Sequence, residues 1–61
     1  MTDRQKEIYK LIKEDPFISS KRMSELLSVV HRTVQRDLAM MQKMGVLIRE
    51  GNTSAGHWVV I

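Results

Sequence analysis

The stretch VHRTVQRDL at residues 30–38 combines an apolar stripe with a basic stripe at helical spacing. Apolar residues that recur at i, i+4 and i+7 are typical of the buried face of a helix: Val34, Leu38 and Met41. At about 100° per residue, a mostly cationic set falls on the opposite face: Arg32, Arg36, Ala39 and Lys43. The split predicts a helix over about residues 31–44 that docks on a small core and leaves a basic face free.

Length and composition exclude several classes of protein. The 61 residues predict one domain with a thin core, since chains near this size bury only about 60% of the surface that their unfolded state exposes. Without cysteine there are no disulfides or thiolate metal sites, and with two histidines we expect no metal site and no cofactor. No apolar run approaches the roughly 20 residues of a membrane span. We therefore expect a cytoplasmic protein that does not contact membranes.

The positive charge is concentrated in the middle of the chain. Residues 1–15 carry no net charge, and residues 50–61 add only Glu50. Residues 16–49 hold six lysines and arginines against two acidic residues, for a net charge of +4. Such a local potential favours a polyanionic partner.

The N-terminal segment predicts a helix followed by a short extended piece. Thr2 or Asp3 can cap the helix, and Thr2 and Gln5 have the spacing of a capping box. The apolar face of the helix comprises Ile8, Leu11 and Ile12, with Tyr9 alongside. Asp15-Pro16 should end it, because proline disfavours the α region in the residue before it. We expect 17–18 (Phe17-Ile18) to be buried and extended as a short strand.

A second helix is expected at about residues 20–27, capped by Ser19 or Ser20. Its spacing predicts three core residues: Met23, Leu26 and Leu27. The break 28–30 (Ser28-Val29-Val30) follows, with Val29 filling the angle between the helices. The third helix should stop at Gly45, with Met41 and Met44 in the core and Met40 exposed.

After Gly45 the pattern becomes extended. Residues 46–49 and 57–61 are rich in β-branched and apolar residues, and the loop between them contains turn-forming residues, which predicts a β-hairpin anchored by Trp58. Three helices followed by a hairpin are the order of an α+β winged helix-turn-helix.

These motifs resemble a known family. The quoted runs are P-x-I-S at 16–19, M-S-E-x-L-x-V at 23–29, R-T-V-Q-R-D-L at 32–38, L-x-R at 47–49 and G-H-W at 56–58. Together they resemble the bacterial winged helix-turn-helix domains that open DeoR-type transcriptional repressors. They are most similar to the C-terminal domains of larger regulators with a divergent AAA-type ATPase region, or RecG-related ATP-dependent DNA helicases. The resemblance implies that residues 1–61 are one DNA-binding domain, a C-terminal fragment of a larger bacterial protein.

Two positions depart from the pattern of the family. Ser28 stands where glycine is usual in the turn, so it must accept the backbone angle that glycine supplied. Val30 stands where serine or threonine usually caps the recognition helix, and valine offers no hydroxyl to a backbone N–H or a phosphate.

We expect double-stranded DNA to contact the basic helix, although a solvated face with ordinary salt bridges would show the same spacing. Arg32 and Arg36 should lead, by pairing with guanine or clamping a phosphate, and Gln35 suits adenine or phosphate. The full candidate set is Arg32, Arg36, Gln35, Thr33, His31, Lys21, Arg22, Lys43, Arg49 and Asn52. Asp37 would repel phosphate, so we interpret it as structural. Glu50 and the lack of lysine in the loop count against the wing.

Two other functions are alternatives to binding double-stranded DNA. No catalytic constellation can be assembled at credible spacing, so we expect no enzyme activity in this domain. A protein-interaction or dimerisation winged helix is favoured by Val30, the uncharged wing and Met40, which is the candidate for a homodimer or inter-domain contact. A third hypothesis is a single-strand or junction-binding accessory of a helicase-like ATPase.

Overall fold

A computed structural model describes residues 1–51 and 56–61. It contains three helices, α1 (Asp3–Glu14), α2 (Ser20–Leu27) and α3 (His31–Lys43), followed by the strands β1 (Leu47–Glu50) and β2 (His57–Val60). This is the α+β winged helix-turn-helix order that the sequence predicts. In the described part of the chain, no helix combines the length and the apolar character that crossing a lipid bilayer requires.

The start of α1 is a capping box, as predicted. The Thr2 side chain accepts the backbone N–H of Gln5 at 3.1 Å, and the Gln5 side chain accepts the N–H of Thr2 at 3.1 Å. Two N–H groups that the helix leaves without partners are thereby satisfied. Ile8 and Ile12 are fully buried, and α1 ends at Glu14 because Pro16 follows the extended Asp15.

The short strand expected at 17–18 is not present in the described residues. Pro16 and Phe17 form a turn instead, because the Asp15 side chain accepts the N–H of Phe17 and its carbonyl accepts that of Ile18, both at 3.1 Å. The segment meets the hairpin through one backbone bond, from Trp58 N to the Pro16 carbonyl at 2.8 Å. Ile18 is buried as expected, but the turn leaves Phe17 71% exposed.

The second helix is capped by Ser19, whose side chain accepts the N–H of Arg22 at 3.0 Å. Met23 is buried and Leu27 is half-buried, but the prediction that Leu26 faces the core is wrong. The inward face passes instead through Ser24, which is small enough to pack there. Its hydroxyl donates to the Lys21 carbonyl at 2.6 Å, so the burial leaves no unpaired group.

The turn after α2 confirms that Ser28 takes the backbone conformation that glycine usually supplies. Ser28 adopts φ 55° and ψ 41°, the left-handed conformation that glycine tolerates best. Val29 is half-buried against the core, and Val30 is the N-cap residue of α3, with an extended backbone and no side-chain cap bond.

The third helix ends at Lys43, and Gly45 reverses the chain with φ 79°. Met41 is fully buried as predicted, whereas Met44 is 46% exposed, so its assignment to the core is wrong. After the reversal, the N–H of Val46 bonds the Met41 carbonyl at 3.1 Å and brings the buried Leu47 over the end of the core.

The hairpin is antiparallel, with Leu47 opposite Val60 and Arg49 opposite Trp58. Directly opposite residues share a face of a two-stranded sheet, so these four side chains lie on the same side. Leu47 and Trp58 complete a core drawn from every element and the 16–19 turn: Ile8, Ile12, Ile18, Met23, Val34, Leu38, Met41, Leu47 and Trp58.

Candidate nucleic-acid interface

The outer face of α3 is a cationic surface supported by a buried one. Arg32, Arg36 and Lys43 are exposed, whereas the inner face is buried at Val34, Asp37, Leu38 and Met41. Among the described residues, none of these three cations lies in an ion pair. Arg32 and Lys43 are about 16 Å apart along the axis. The helix therefore presents a strip of positive charge to any polyanion along its outer side.

Asp37 has a structural role, as predicted from its position beside Arg36. It is 7% exposed and forms an ion pair with Arg4 of α1, in which Arg4 Nε bonds Oδ2 and Nη2 lies 3.4 Å from Oδ1. Gln5 Nε2 also donates to Asp37 Oδ1 at 3.4 Å. Since Gln5 belongs to the capping box, one side chain links the start of α1 to the middle of α3.

Arg4 keeps its positive charge at neutral pH, so the ion pair with Asp37 is present there. Its side-chain hydrogen bond to Asp37, with a smaller contribution from charge attraction, raises the pKa of Arg4 above its ordinary value, although burial opposes the shift. A raised pKa means that the stabilisation is fully present at neutral pH. On the alkaline side it is lost as the pH rises through that already strongly alkaline value.

The starts of α2 and α3 are joined at the surface. His31 Nε2 lies 2.6 Å from Ser20 Oγ, which connects the first turns of the two helices. Lys21 is exposed, and Arg22 lies 3.8 Å from Glu25 in an exposed i, i+3 pair. Exposed pairs of this kind contribute little, so Arg22 remains available to an anion. Thr33 is half-buried on the flank of α3.

A groove runs beside the cationic strip. One wall is formed by α3 through Gln35, Ala39 and Gln42, and other walls come from the α2 cap and the hairpin: Ser19, Ser20, Arg49 and Trp58. Gln35 is exposed at this edge, as an amide that reads a base or meets a phosphate must be.

Arg49 on β1 and His57 on β2 differ in their surroundings. Arg49 places its guanidinium carbon 4.9 Å from the centre of the Trp58 ring. His57 lies between Glu50, at 3.7 Å, and the Phe17 ring, at 5.3 Å between centroids. His57 therefore already has a neighbour on each side, Glu50 and Phe17, whereas Arg49 lines the groove. Asn52, the remaining predicted contact, lies outside the described residues.

Three contacts were missed by sequence reasoning. Nothing local connects Arg4 with Asp37, since they are 33 positions apart. The bond between His31 and Ser20 likewise depends on how α2 and α3 meet. The stacking of Arg49 on Trp58 had a usable signal, because pairing the two strands around their loop places these residues opposite each other.

Comparison with known proteins identifies the family. The model of the DeoR-like helix-turn-helix domain matches residues 4–53, which covers α1 from its second residue, α2, α3 and the first strand. Searches among curated proteins and among solved structures returned no match. The match spans most of the 61 residues and agrees with the helix order of the structure. The chain belongs to the DeoR-like helix-turn-helix family and is a DNA-binding module of the kind that transcriptional regulators use.

Proposed function

We propose that α3 enters the major groove of double-stranded DNA, with Arg32, Arg36 and Gln35 leading. The observation that carries the proposal is the division of α3 into an exposed cationic strip and a buried face held by Asp37. Recognition helices of helix-turn-helix proteins lie in the major groove with their first turns at the base edges. Arg32, Gln35 and Arg36 occupy those first turns.

The proposed contacts divide into base reading and backbone binding. The guanidinium groups of Arg32 and Arg36 match guanine O6 and N7, and the amide of Gln35 matches adenine. Backbone contacts are proposed for the rest of the set, which comprises residues at the helix starts, the far end of α3, β1 and the loop outside the described residues: His31, Thr33, Lys21, Arg22, Lys43, Arg49 and Asn52. Phosphate contacts position the protein, whereas base contacts specify the sequence.

A titration of labelled duplex DNA tests the assignment. We expect Arg32→Ala and Arg36→Ala each to weaken binding roughly tenfold, since one such contact is worth about 1–3 kcal/mol. Wild-type affinity should fall steeply as salt rises. Lys10→Ala is the matched control, because Lys10 is an exposed cation on α1. If both arginine variants bind as tightly as Lys10→Ala does, α3 is not the recognition helix.

A second candidate function is protein association. Met40 and Met44 are 50% and 46% exposed on one flank of α3, and Val30 supplies no hydroxyl near a phosphate. These features favour a dimerisation winged helix with weak DNA binding. Sedimentation across a wide range of protein concentrations separates the two, because this candidate requires a mass that rises with concentration and falls back in Met40→Gln.

We also propose the kind of larger protein to which this domain belongs. The motif resemblance supports a domain at the C-terminus of a larger bacterial regulator or RecG-related ATPase that works in the cytoplasm. In a regulator, duplex DNA should compete best for the domain, whereas in a helicase-like protein a fork or single strand should compete better. A competition experiment with the three ligands distinguishes these cases.

A further inference from the structure

A second groove lies between the end of α1 and β2, and no described residue of α2 or α3 lines it. We call it the rear groove. Most of the side chains in its walls are apolar, and they come from α1, the turn after it and β2: Ile12, Lys13, Pro16, His57, Val59 and Val60. The rear groove is therefore separate from the cationic strip of α3.

The outer face of the hairpin extends this apolar surface. Ile48 and Val59 are paired in the strand register, and they lie on the face opposite to that of Trp58. Ile48 is 46% exposed, and Phe17, whose ring centroid lies 5.3 Å from that of His57, is also exposed. An exposed apolar surface that continues into a groove is typical of a site that binds another protein.

The edge of β2 that borders the rear groove offers a backbone donor. The N–H of Ile61 bonds the Val46 carbonyl at 3.0 Å, which continues the antiparallel ladder of the hairpin. Because hydrogen-bonded pairs alternate along such a ladder, Trp58 and Val60 direct their N–H groups away from β1. The N–H of Trp58 bonds the Pro16 carbonyl, whereas no described backbone group accepts that of Val60. An extended peptide can pair with an edge of this kind.

The charge beside the rear groove is positive. Lys6 and Lys13 are exposed and lie about two turns apart, almost on one line along α1. Glu7 and Glu14 follow these lysines, and the helical step of about 100° turns both away from the side of Ile12 and the groove. Among the described lining residues there is no carboxylate. The rim of the groove thus complements an acidic partner.

We propose that the rear groove binds an extended acidic segment of a partner protein. An apolar side chain of that segment would enter the groove, a backbone carbonyl would accept the N–H of Val60, and a carboxylate would pair with Lys13. A second copy of this chain does not supply such a segment, because Glu14-Asp15 is its one pair of adjacent acidic residues and lies at the end of α1. The inference does not depend on DNA binding by α3, and both partners could be bound at once.

An NMR titration of the ¹⁵N-labelled protein with a short peptide that alternates leucine and glutamate tests the proposal. The alternation places the leucines on one side of an extended chain and the glutamates on the other. We expect saturable amide shifts at Lys13, His57 and Val60. The same peptide with lysine in place of glutamate should leave these amides unmoved, because its charge matches that of the rim.

Two charge reversals of equal size provide the matched comparison. Lys13→Glu should weaken binding of the acidic peptide roughly tenfold, since an attraction across the interface becomes a repulsion. Lys43→Glu makes the same change of net charge on α3 and should keep the peptide affinity within roughly twofold, because salt screens distant exposed charges. Both positions are exposed, so both variants should fold, which their urea unfolding verifies.

Hydrogen exchange tests the pairing of the peptide with β2. Exchange at the Val60 amide should slow at least several-fold when the peptide saturates the protein. A peptide with alternate backbone nitrogens methylated should bind more weakly, since it cannot donate to the carbonyls of β2. Unchanged exchange at Val60 in the saturated complex would overturn the proposed mode of binding.

Other outcomes would assign the surface differently. If the acidic peptide causes no saturable shift at the rear groove, the proposal is wrong. Shifts that concentrate on α3, with binding weakened by Lys43→Glu and not by Lys13→Glu, would make the peptide a ligand of the cationic strip. Shifts of the Lys6 and Lys13 amides with duplex DNA, and none with the peptide, would make the surface a second DNA contact. Each of these results overturns the assignment to a protein partner.

Discussion

Arg36 and Asp37 are neighbours in α3, but one faces solvent and the other faces the core. Arg36 is exposed and Asp37 is 7% exposed, because consecutive helical positions differ by about 100° around the axis. Asp37 accepts from Gln5 and pairs with Arg4, so it attaches the recognition helix to α1. Arg36 has no ion-pair partner among the described residues. Stability and DNA affinity should therefore depend on different residues of the same turn.

Substitution at these two positions tests this separation. Asp37→Ala removes the acceptor of the buried Gln5 amide, and a buried donor without a partner costs about 1–3 kcal/mol of unfolding free energy. We expect Asp37→Asn to lose less, since its carbonyl oxygen can still accept. Arg36→Ala should change stability by less than about 0.5 kcal/mol, as exposed substitutions usually do. Urea midpoints give the comparison, and an Asp37→Ala midpoint equal to that of Arg36→Ala would contradict it.

At the scale of elements, the three helices differ in their N-terminal caps. The caps of α1 and α2 are Thr2 and Ser19, and both side chains accept a backbone N–H. Val30 provides no such bond to α3, although its backbone has the extended conformation of a cap residue. Since its side chain is 69% exposed, little packing is lost when it is replaced.

Val30→Ser should therefore stabilise the domain. A serine at this position can accept a free N–H in the first turn of α3, which is worth about 1 kcal/mol. Ser19→Ala is the mirror-image variant and should destabilise by a similar amount through the loss of the α2 cap. Thermal unfolding of both variants gives the measurement. An unchanged midpoint in Val30→Ser, with a lowered one in Ser19→Ala, would show that α3 does not need a cap.

The elements themselves were largely predictable from local patterns. The capping box at Thr2 and Gln5, the left-handed Ser28 and the reversal at Gly45 depend on nearby residues, and each was found where expected. The errors arose where a nearby group competes or another element covers the core. The Asp15 turn leaves Phe17 exposed, and Met44 is 46% exposed while Leu47, after the reversal at Gly45, is buried.

The candidate site was predictable in part. Helical periodicity identified the exposed residues of α3, because that depends on one element. The Arg4 partner of Asp37 and the groove around Arg49 depend on how α1, α2 and the hairpin pack on α3. Packing between distant segments is not encoded in local spacing, so these features required the structure.

At the scale of the whole molecule, charge is distributed by function. Residues 16–49, which contain α2, α3 and most of β1, carry a net charge of +4, while residues 1–15 are neutral overall and Glu50 brings the chain to +3. The outer face of α1 alternates in sign, whereas α3 presents a strip of one sign. DNA should approach the molecule from the α3 side, with α1 acting as the support behind it.

An NMR titration of the ¹⁵N-labelled protein with a random-sequence duplex tests most directly whether α3 is the surface that meets DNA. We predict that amide shifts concentrate in the first turns of α3, at Lys21 and Arg22, and at Arg49. The amides of α1 should hardly move, and the shifts should shrink as salt is raised. Shifts that concentrate on α1 or around Met40 and Met44, with the first turns of α3 unmoved, would contradict the proposed placement of α3 in the major groove.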